Sequence, residues 1–157
     1  MNYPYALGVI GAGHIAGVII NRLLQTNYFA PDRIIASASR AVREHPLPVK
    51  IVDDVREVVR RADRILVSVT PQKFAEMAAN IKDVLTPDHL IVSVMAGIGT
   101  DTVAAAFSKD STRVVRCMPN LPFGLGYGVT GVMRGRHATR TDVEEVRHMF
   151  GAGGATV

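Results

Sequence analysis

The sequence predicts an α/β fold, a doubly wound and mostly parallel sheet covered by helices, in a single domain over residues 1–157. Three observations carry this. Short β-branched apolar runs alternate with segments of helical period along the whole chain, as in strands joined by right-handed crossover helices. The first run, Leu7-Gly8-Val9-Ile10, breaks into Gly11-Ala12-Gly13 and leads directly into a helical pattern. Finally, 157 residues with 48% hydrophobic and 20% charged content describe one globular domain, which at this size buries roughly two thirds of its unfolded surface.

Taken in order, residues 6–10 form the first strand and 14–25 the first helix, with Ile15, Ile19 and Leu23 on its buried side. Pro31-Asp32 is a turn before a strand at 33–38. Residues 39–44 hold one helical turn at most, because Pro46 and Pro48 stop it. A short strand at 49–52 precedes a helix capped by Asp53, with Val55, Val58 and Val59 facing inward. A buried strand at 65–69 closes with Thr70-Pro71 and is followed by a helix at 73–84. A strand at 89–94, a helix at 100–107 and a sixth strand at 113–118 come next. A Gly-rich loop then leads to a strand at 127–133, and Thr141 with Glu144 has capping-box spacing for a last helix ending at 150. Met77, Met118, Met133 and Met149 read as core filler.

Composition removes several functions. The formal charge of +4 comes with scattered arginines, no tryptophan and 6% aromatic residues, so no stacking surface for nucleic acid is expected. No apolar stretch has the length of a membrane span, and no basic segment leads into an apolar run at the start. A single cysteine, Cys117, excludes an internal disulfide and points to a cytoplasmic location; it reads as a buried, inert thiol. The five histidines show no ligand spacing, so no metal is expected. No serine sits in a nucleophile-elbow context.

Ligands of doubly wound sheets lie at the carboxyl ends of the strands. Gly11 permits a tight turn, Gly13 removes a Cβ where phosphates approach, and Ala16 keeps the helix near the strand. Bare amides and a helix N-terminus are thereby offered to a pyrophosphate, which makes this an NAD(P)-binding Rossmann fold. Gly11, Gly13, His14 and Ile15 would contact the diphosphate. The second strand ends Ser37-Ala38-Ser39-Arg40 without an acid. The Ser39 hydroxyl and Arg40 guanidinium suit a 2′-phosphate, favouring NADP(H) over NAD(H). Arg43 is open to the same role, and Arg40 has the alternative of a solvated residue starting a short helix. Val69, Thr70 and Pro71 would border the cofactor ribose, or simply form a strand-to-helix turn with Pro71 at the first helical position. Ala96 and Gly97 leave room for a flat nicotinamide, or form a flexible turn. Asn120, held between Pro119 and Pro122, is the one catalytic candidate: its amide would orient the nicotinamide carboxamide or a substrate group, unless it is a plain turn residue.

These landmarks, in order and spacing, resemble the N-terminal domain of pyrroline-5-carboxylate reductase. The match is carried by Gly8-Val9-Ile10-Gly11-Ala12-Gly13, Ala62-Asp63, Pro71-Gln72, residues 93–97, Val114-Val115-Arg116-Cys117-Met118-Pro119-Asn120 and Gly126-Tyr127-Gly128-Val129-Thr130. The resemblance implies reduction of the C=N bond of 1-pyrroline-5-carboxylate, a small imino acid, to proline by NADPH or NADH, the last step of proline synthesis. It also implies an all-helical second domain that builds a dimer and binds the substrate carboxylate. This chain stops at Gly153-Gly154-Ala155-Thr156-Val157, where the family begins its last sheet strand. Half of the substrate pocket and the usual interface for a homo-oligomer are therefore expected to be missing. His14 stands where the family has asparagine, Thr70 where it has lysine, and Leu121 where it has threonine. Two other readings stand beside the enzyme: a catalytically incomplete NADP-binding module, and a relative of coenzyme F420-dependent NADP reductases.

Overall fold

The alternating runs of the sequence become one eight-stranded sheet. The computed structural model describes residues 2–38, 46–107 and 111–157. Its strands are β1 (Leu7–Ile10), β2 (Ile34–Ser37), β3 (Lys50–Val52), β4 (Arg64–Val67), β5 (Leu90–Ser93), β6 (Arg113–Pro119), β7 (Gly128–Arg134) and β8 (Gly154–Thr156). The helices are α1 (His14–Gln25), α2 (Val55–Arg61), α3 (Pro71–Ile81), α4 (Thr100–Ala106) and α5 (Arg140–Phe150). Strand order is β3-β2-β1-β4-β5-β6-β7-β8, parallel throughout except for the antiparallel pair β6–β7. The chain reverses its direction of growth between β1 and β4, which creates the switch-point crevice of a doubly wound fold.

Two apolar layers cover the sheet. One gathers Leu7, Val9, Leu66 and Val115 beneath Ala16, Ile19, Ile20 and Leu23 of α1 and Val146, Met149 and Phe150 of α5. The other gathers Ile35, Ile65, Val67 and Ile91 beneath Val58 and Val59 of α2, Phe74, Met77 and Ile81 of α3, and Val103 of α4. Strands β1, β2 and β5 are consequently buried at every residue, and they lack the alternating polarity of a strand with one wet face.

Several local readings change. The buried stripe of α1 is Ala16, Ile19, Ile20 and Leu23, whereas Ile15 is 50% exposed; spacing i, i+3, i+4, i+7 places Ala16, not Ile15, on the core face. Asp54, not Asp53, caps α2, accepting the Arg56 N–H at 2.8 Å. The capping box of α5 lies two residues earlier than Thr141 and Glu144. Thr139 accepts from the Asp142 N–H at 3.0 Å while Asp142 accepts from the Thr139 N–H at 2.7 Å. That register wins because the same carboxylate also pairs with Arg113 of β6 at 2.7 Å, which ties the helix start to the sheet. Strand β4 ends at Val67, so Ser68, Val69 and Thr70 form a loop. Met77 and Met149 are core residues, but Met118 and Met133 point outward from β6 and β7. Cys117 is buried, and burial pushes its thiol up to about 12. The helical turn expected at 39–44 lies outside the described residues. No helix among the described residues is long and apolar enough to cross a membrane.

Candidate functional site

Four strand exits, those of β1, β2, β3 and β4, and one face of α3 build a cleft. At the end of β1, Gly11 takes φ +82°, and a Cβ there would lie 2.8 Å from Val69 Cγ1 and 2.9 Å from the Ser68 carbonyl. Glycine is thus required twice, for the left-handed backbone and for the close approach of the β4 exit. The Ala12 N–H donates to the Ser37 carbonyl at 2.9 Å, pinning the turn to the end of β2. Gly13 is the N-cap of α1, with no side-chain cap and no acid in the first turn. The Gly13 N–H donates to the Gly11 carbonyl at 2.6 Å, and the first helix amide with an acceptor is that of Gly17, bonded to the Gly13 carbonyl at 2.9 Å. The amides of His14, Ile15 and Ala16 therefore have no acceptor in the helix and carry its positive dipole end.

The cleft beside this turn has a volume of about 440 Å³, within the range of small-molecule sites. Gly11, Gly13, Ser37, Val69 and Thr70 line it, with Val55 and Met77 as its apolar wall. Thr70 is the N-cap of α3 and Pro71 its first residue, so the chain turns sharply away from the cleft there. Lys73, Glu76, Met77 and Asn80 follow along one face of α3 and complete the wall. A Cβ built on Gly13 would meet nothing closer than 3.9 Å. The backbone here is open toward the cleft, as an approaching diphosphate requires. The residues present therefore fit a dinucleotide.

Of the expected site residues, Gly11, Gly13, Val69 and Thr70 line the cleft. His14 and Ile15 are exposed at the start of α1. Ala96 and Gly97 are exposed at the exit of β5, where Gly97 has φ +74° and open space around it. Pro71 and Asn120 are exposed outside the cleft lining. Asn120 spends its Oδ1 on the Val129 N–H at 2.9 Å, bridging the β6 exit to β7; its Nδ2 remains as a donor. Ser39 and Arg40 lie outside the described residues, as does Arg43. Ser37, at the exit of β2, lines the cleft as well, whereas Asp53, Ser68, Lys73, Glu76 and Asn80 were not expected there. The α3 stripe was available as spacing i, i+3, i+4, i+7 from Lys73. Asp53 was masked by its neighbour, since either aspartate had cap chemistry. Among the described residues no group of three or more His, Cys, Asp or Glu side chains is arranged to hold a metal ion.

Comparison with known proteins agrees with this geometry. Residues 6–97 match the family described as NADP oxidoreductase, coenzyme F420-dependent. A pyrroline-5-carboxylate reductase of Methanosarcina acetivorans is 28% identical over 96% of this chain and 57% of its own length. Pyrroline-5-carboxylate reductase 3 of Mus musculus is 29% identical over 100% of this chain and 58% of its own. The chain thus spans somewhat more than half the length of these relatives. A Plasmodium falciparum pyrroline carboxylate reductase solved with NADP bound superposes with TM-score 0.87 at 20% identity, over 99% of this chain and 58% of that one. The chain belongs to the family described as NADP oxidoreductase, coenzyme F420-dependent, and is similar along nearly its whole length to somewhat more than half the length of the pyrroline-5-carboxylate reductases named above.

Proposed function

We propose that this chain is the cofactor-binding part of a pyrroline-5-carboxylate reductase and takes NADP(H) in preference to NAD(H). The observation that carries the reading is the Gly11 turn at φ +82°, packed against Ser68 and Val69 at the mouth of the cleft. The relatives that share this stretch along the whole chain are such reductases. The free amides of His14 and Ile15, with the bare backbone of Gly11 and Gly13 beside them, hold the diphosphate, and Val69, Thr70 and Pro71 border the ribose. When bound, the cofactor supplies a hydride to the imine carbon of 1-pyrroline-5-carboxylate. Ala96 and Gly97 leave the nicotinamide face unobstructed, and the free Nδ2 of Asn120 orients its carboxamide or the substrate. An imine nitrogen that is already protonated needs no general acid from this chain.

The preference for NADP(H) rests on Ser39 and Arg40. The described rim carries the acidic Asp53 and Glu76 as well as the basic Lys73, a balance that does not itself attract a 2′-phosphate. Titration of NADPH and NADH by nicotinamide fluorescence, followed by addition of substrate, tests the reading. Arg40→Ala is expected to weaken NADPH by about 1–3 kcal/mol and leave NADH unchanged. Equal losses for both nucleotides would remove the 2′-phosphate assignment. No binding of either nucleotide removes the whole reading.

The match of residues 6–97 favours a second reading, hydride exchange between reduced F420 and NADP. Hydride-donor preference separates the two. Binding of NADPH without turnover of either substrate would leave a nucleotide-binding module that needs further protein to act.

A further inference from the structure

The last turn of α3 is tied down from α2. Asn80 is the next-to-last residue of α3, and its carbonyl is among those that a helix end leaves without a donor of its own. Arg56, in the first turn of α2, fills that place: its Nη1 donates to the Asn80 carbonyl at 2.6 Å. The same guanidinium makes two bonds of 2.7 Å to the carboxylate of Asp83, just beyond the helix. Asp54 holds Arg56 in turn, accepting its backbone N–H at 2.8 Å. A lone surface ion pair contributes little, but here a two-pronged pair is joined to a cap at the negative end of a helix dipole. The turn most prone to fray is thereby fixed to the neighbouring helix.

That turn also belongs to the cleft. Asn80 lines it together with Met77 and Glu76 of α3 and Val55 of α2, the residue before Arg56. In the cofactor reading above, on which this inference rests, the diphosphate lies at the β1 exit and the nicotinamide toward the exits of β5 and β6. Strand order then leaves the adenosine on the other side of Gly11, toward β2, β3 and the wall formed by α2 and α3. Val55 and Met77 offer apolar contacts to a flat base. Adenine presents an amino donor beside a ring-nitrogen acceptor, and a carboxamide meets both in one plane. Asn80 has that pair of groups, and among the described residues only its backbone carbonyl is engaged by another side chain. Glu76, when ionised, only accepts, so it cannot serve the ring nitrogen.

We propose that the Asn80 amide reads the amino edge of the adenine base, and that Arg56 is the positioning residue that holds Asn80 at that edge. The cleft then selects adenine over a purine that carries a carbonyl in place of the amino group, because such a base turns an acceptor toward the Asn80 acceptor. Arg56 itself touches no part of the cofactor. It acts by keeping the last turn of α3 helical, and with it the place of the amide.

The protein is titrated, by nicotinamide fluorescence, with three ligands: NADPH, its deamino analogue with hypoxanthine for adenine, and reduced nicotinamide mononucleotide, which has no adenosine. NADPH is expected to bind roughly tenfold more tightly than the deamino analogue. Asn80→Leu should bring NADPH down to the affinity of the analogue and leave the analogue unchanged. Arg56→Met should narrow the same ratio, whereas Arg56→Lys, which keeps a donor for the Asn80 carbonyl, should retain most of it. The mononucleotide should bind the parent and every variant alike. Equal binding of NADPH and the analogue by the parent overturns the proposal and leaves the cofactor reading standing. A ratio that survives Asn80→Leu overturns it as well. If Arg56→Met weakens NADPH, the analogue and the mononucleotide in equal proportion, Arg56 serves general stability only and its positioning role falls. Failure of every nucleotide to bind removes the cofactor reading and this inference with it.

Discussion

The strands from β3 to β5 and the strands from β6 to β8 belong to one sheet but are solvated differently. In the first group, β1, β2 and β5 are buried at every residue and β4 at all but its first, and only the edge strand β3 is open along its length. In the second, β7 alternates between buried Gly128 and Thr130 and exposed Val129, Met133 and Arg134. Arg113 and Arg116 make the same contrast within one strand: one is paired to a buried carboxylate, the other only touches a methionine sulfur. The parallel part of the sheet is therefore finished by its own crossover helices. The antiparallel pair is joined by a short connection that carries no such helix, so one of its faces is not covered by a crossover helix.

This contrast makes graded predictions. The largest effect is expected in the doubly covered part, where Leu66→Ala in β4 removes a fully buried side chain and should cost about 2–5 kcal/mol in urea unfolding. Met133→Ala, on the bare face, should cost under about 0.5 kcal/mol in the same assay; equal losses would erase the distinction. Next, Arg113→Met strands the buried Asp142 carboxylate and should destabilise by about 2 kcal/mol. A smaller loss of about 1 kcal/mol is expected for Thr139→Ala, which breaks the capping box but leaves the Arg113 pair; Thr141→Ala should be silent by comparison.

The smallest effect concerns acid. Arg56 forms two hydrogen bonds of 2.7 Å to the carboxylate of Asp83 and holds it well below its ordinary value, at about 2. A carboxyl lowered on folding stabilises above its unfolded value of 3.8, and this contribution is lost as pH falls through 2. Asp83 is exposed, so screening keeps the effect modest. Tm measured from pH 5 down to pH 2 should fall less steeply in Asp83→Asn than in the parent.

Much of the cleft was legible beforehand because a glycine turn after a strand has few structural uses. Gly11 and Gly13 reach it for the reasons their backbone suggested, and Thr70 and Val69 follow from the exit of the next strand. Asp53 and the α3 stripe from Lys73 to Asn80 were harder to assign. A cap requires a particular carboxylate to reach a particular amide, and Asp53 and Asp54 are equivalent until the chain direction is set. The capping box of α5 shows the same limit. Thr139 with Asp142 and Thr141 with Glu144 have identical spacing, and a contact from Arg113, on a distant strand, chooses between them.

Local chemistry was enough to set the succession of strands and helices, the left-handed glycine at the first turn, and the burial of Cys117. These follow from periodicity and backbone sterics within a few residues. Which face of each strand is covered could not be read that way. Period-two alternation puts Val129 and Met133 on one face of their strand, but neither the pairing that brings Met118 beside them nor whether a helix lies over them; that depends on where crossovers placed elsewhere in the chain run out, which is why Met118 and Met133 read as core residues from sequence and are exposed in the fold.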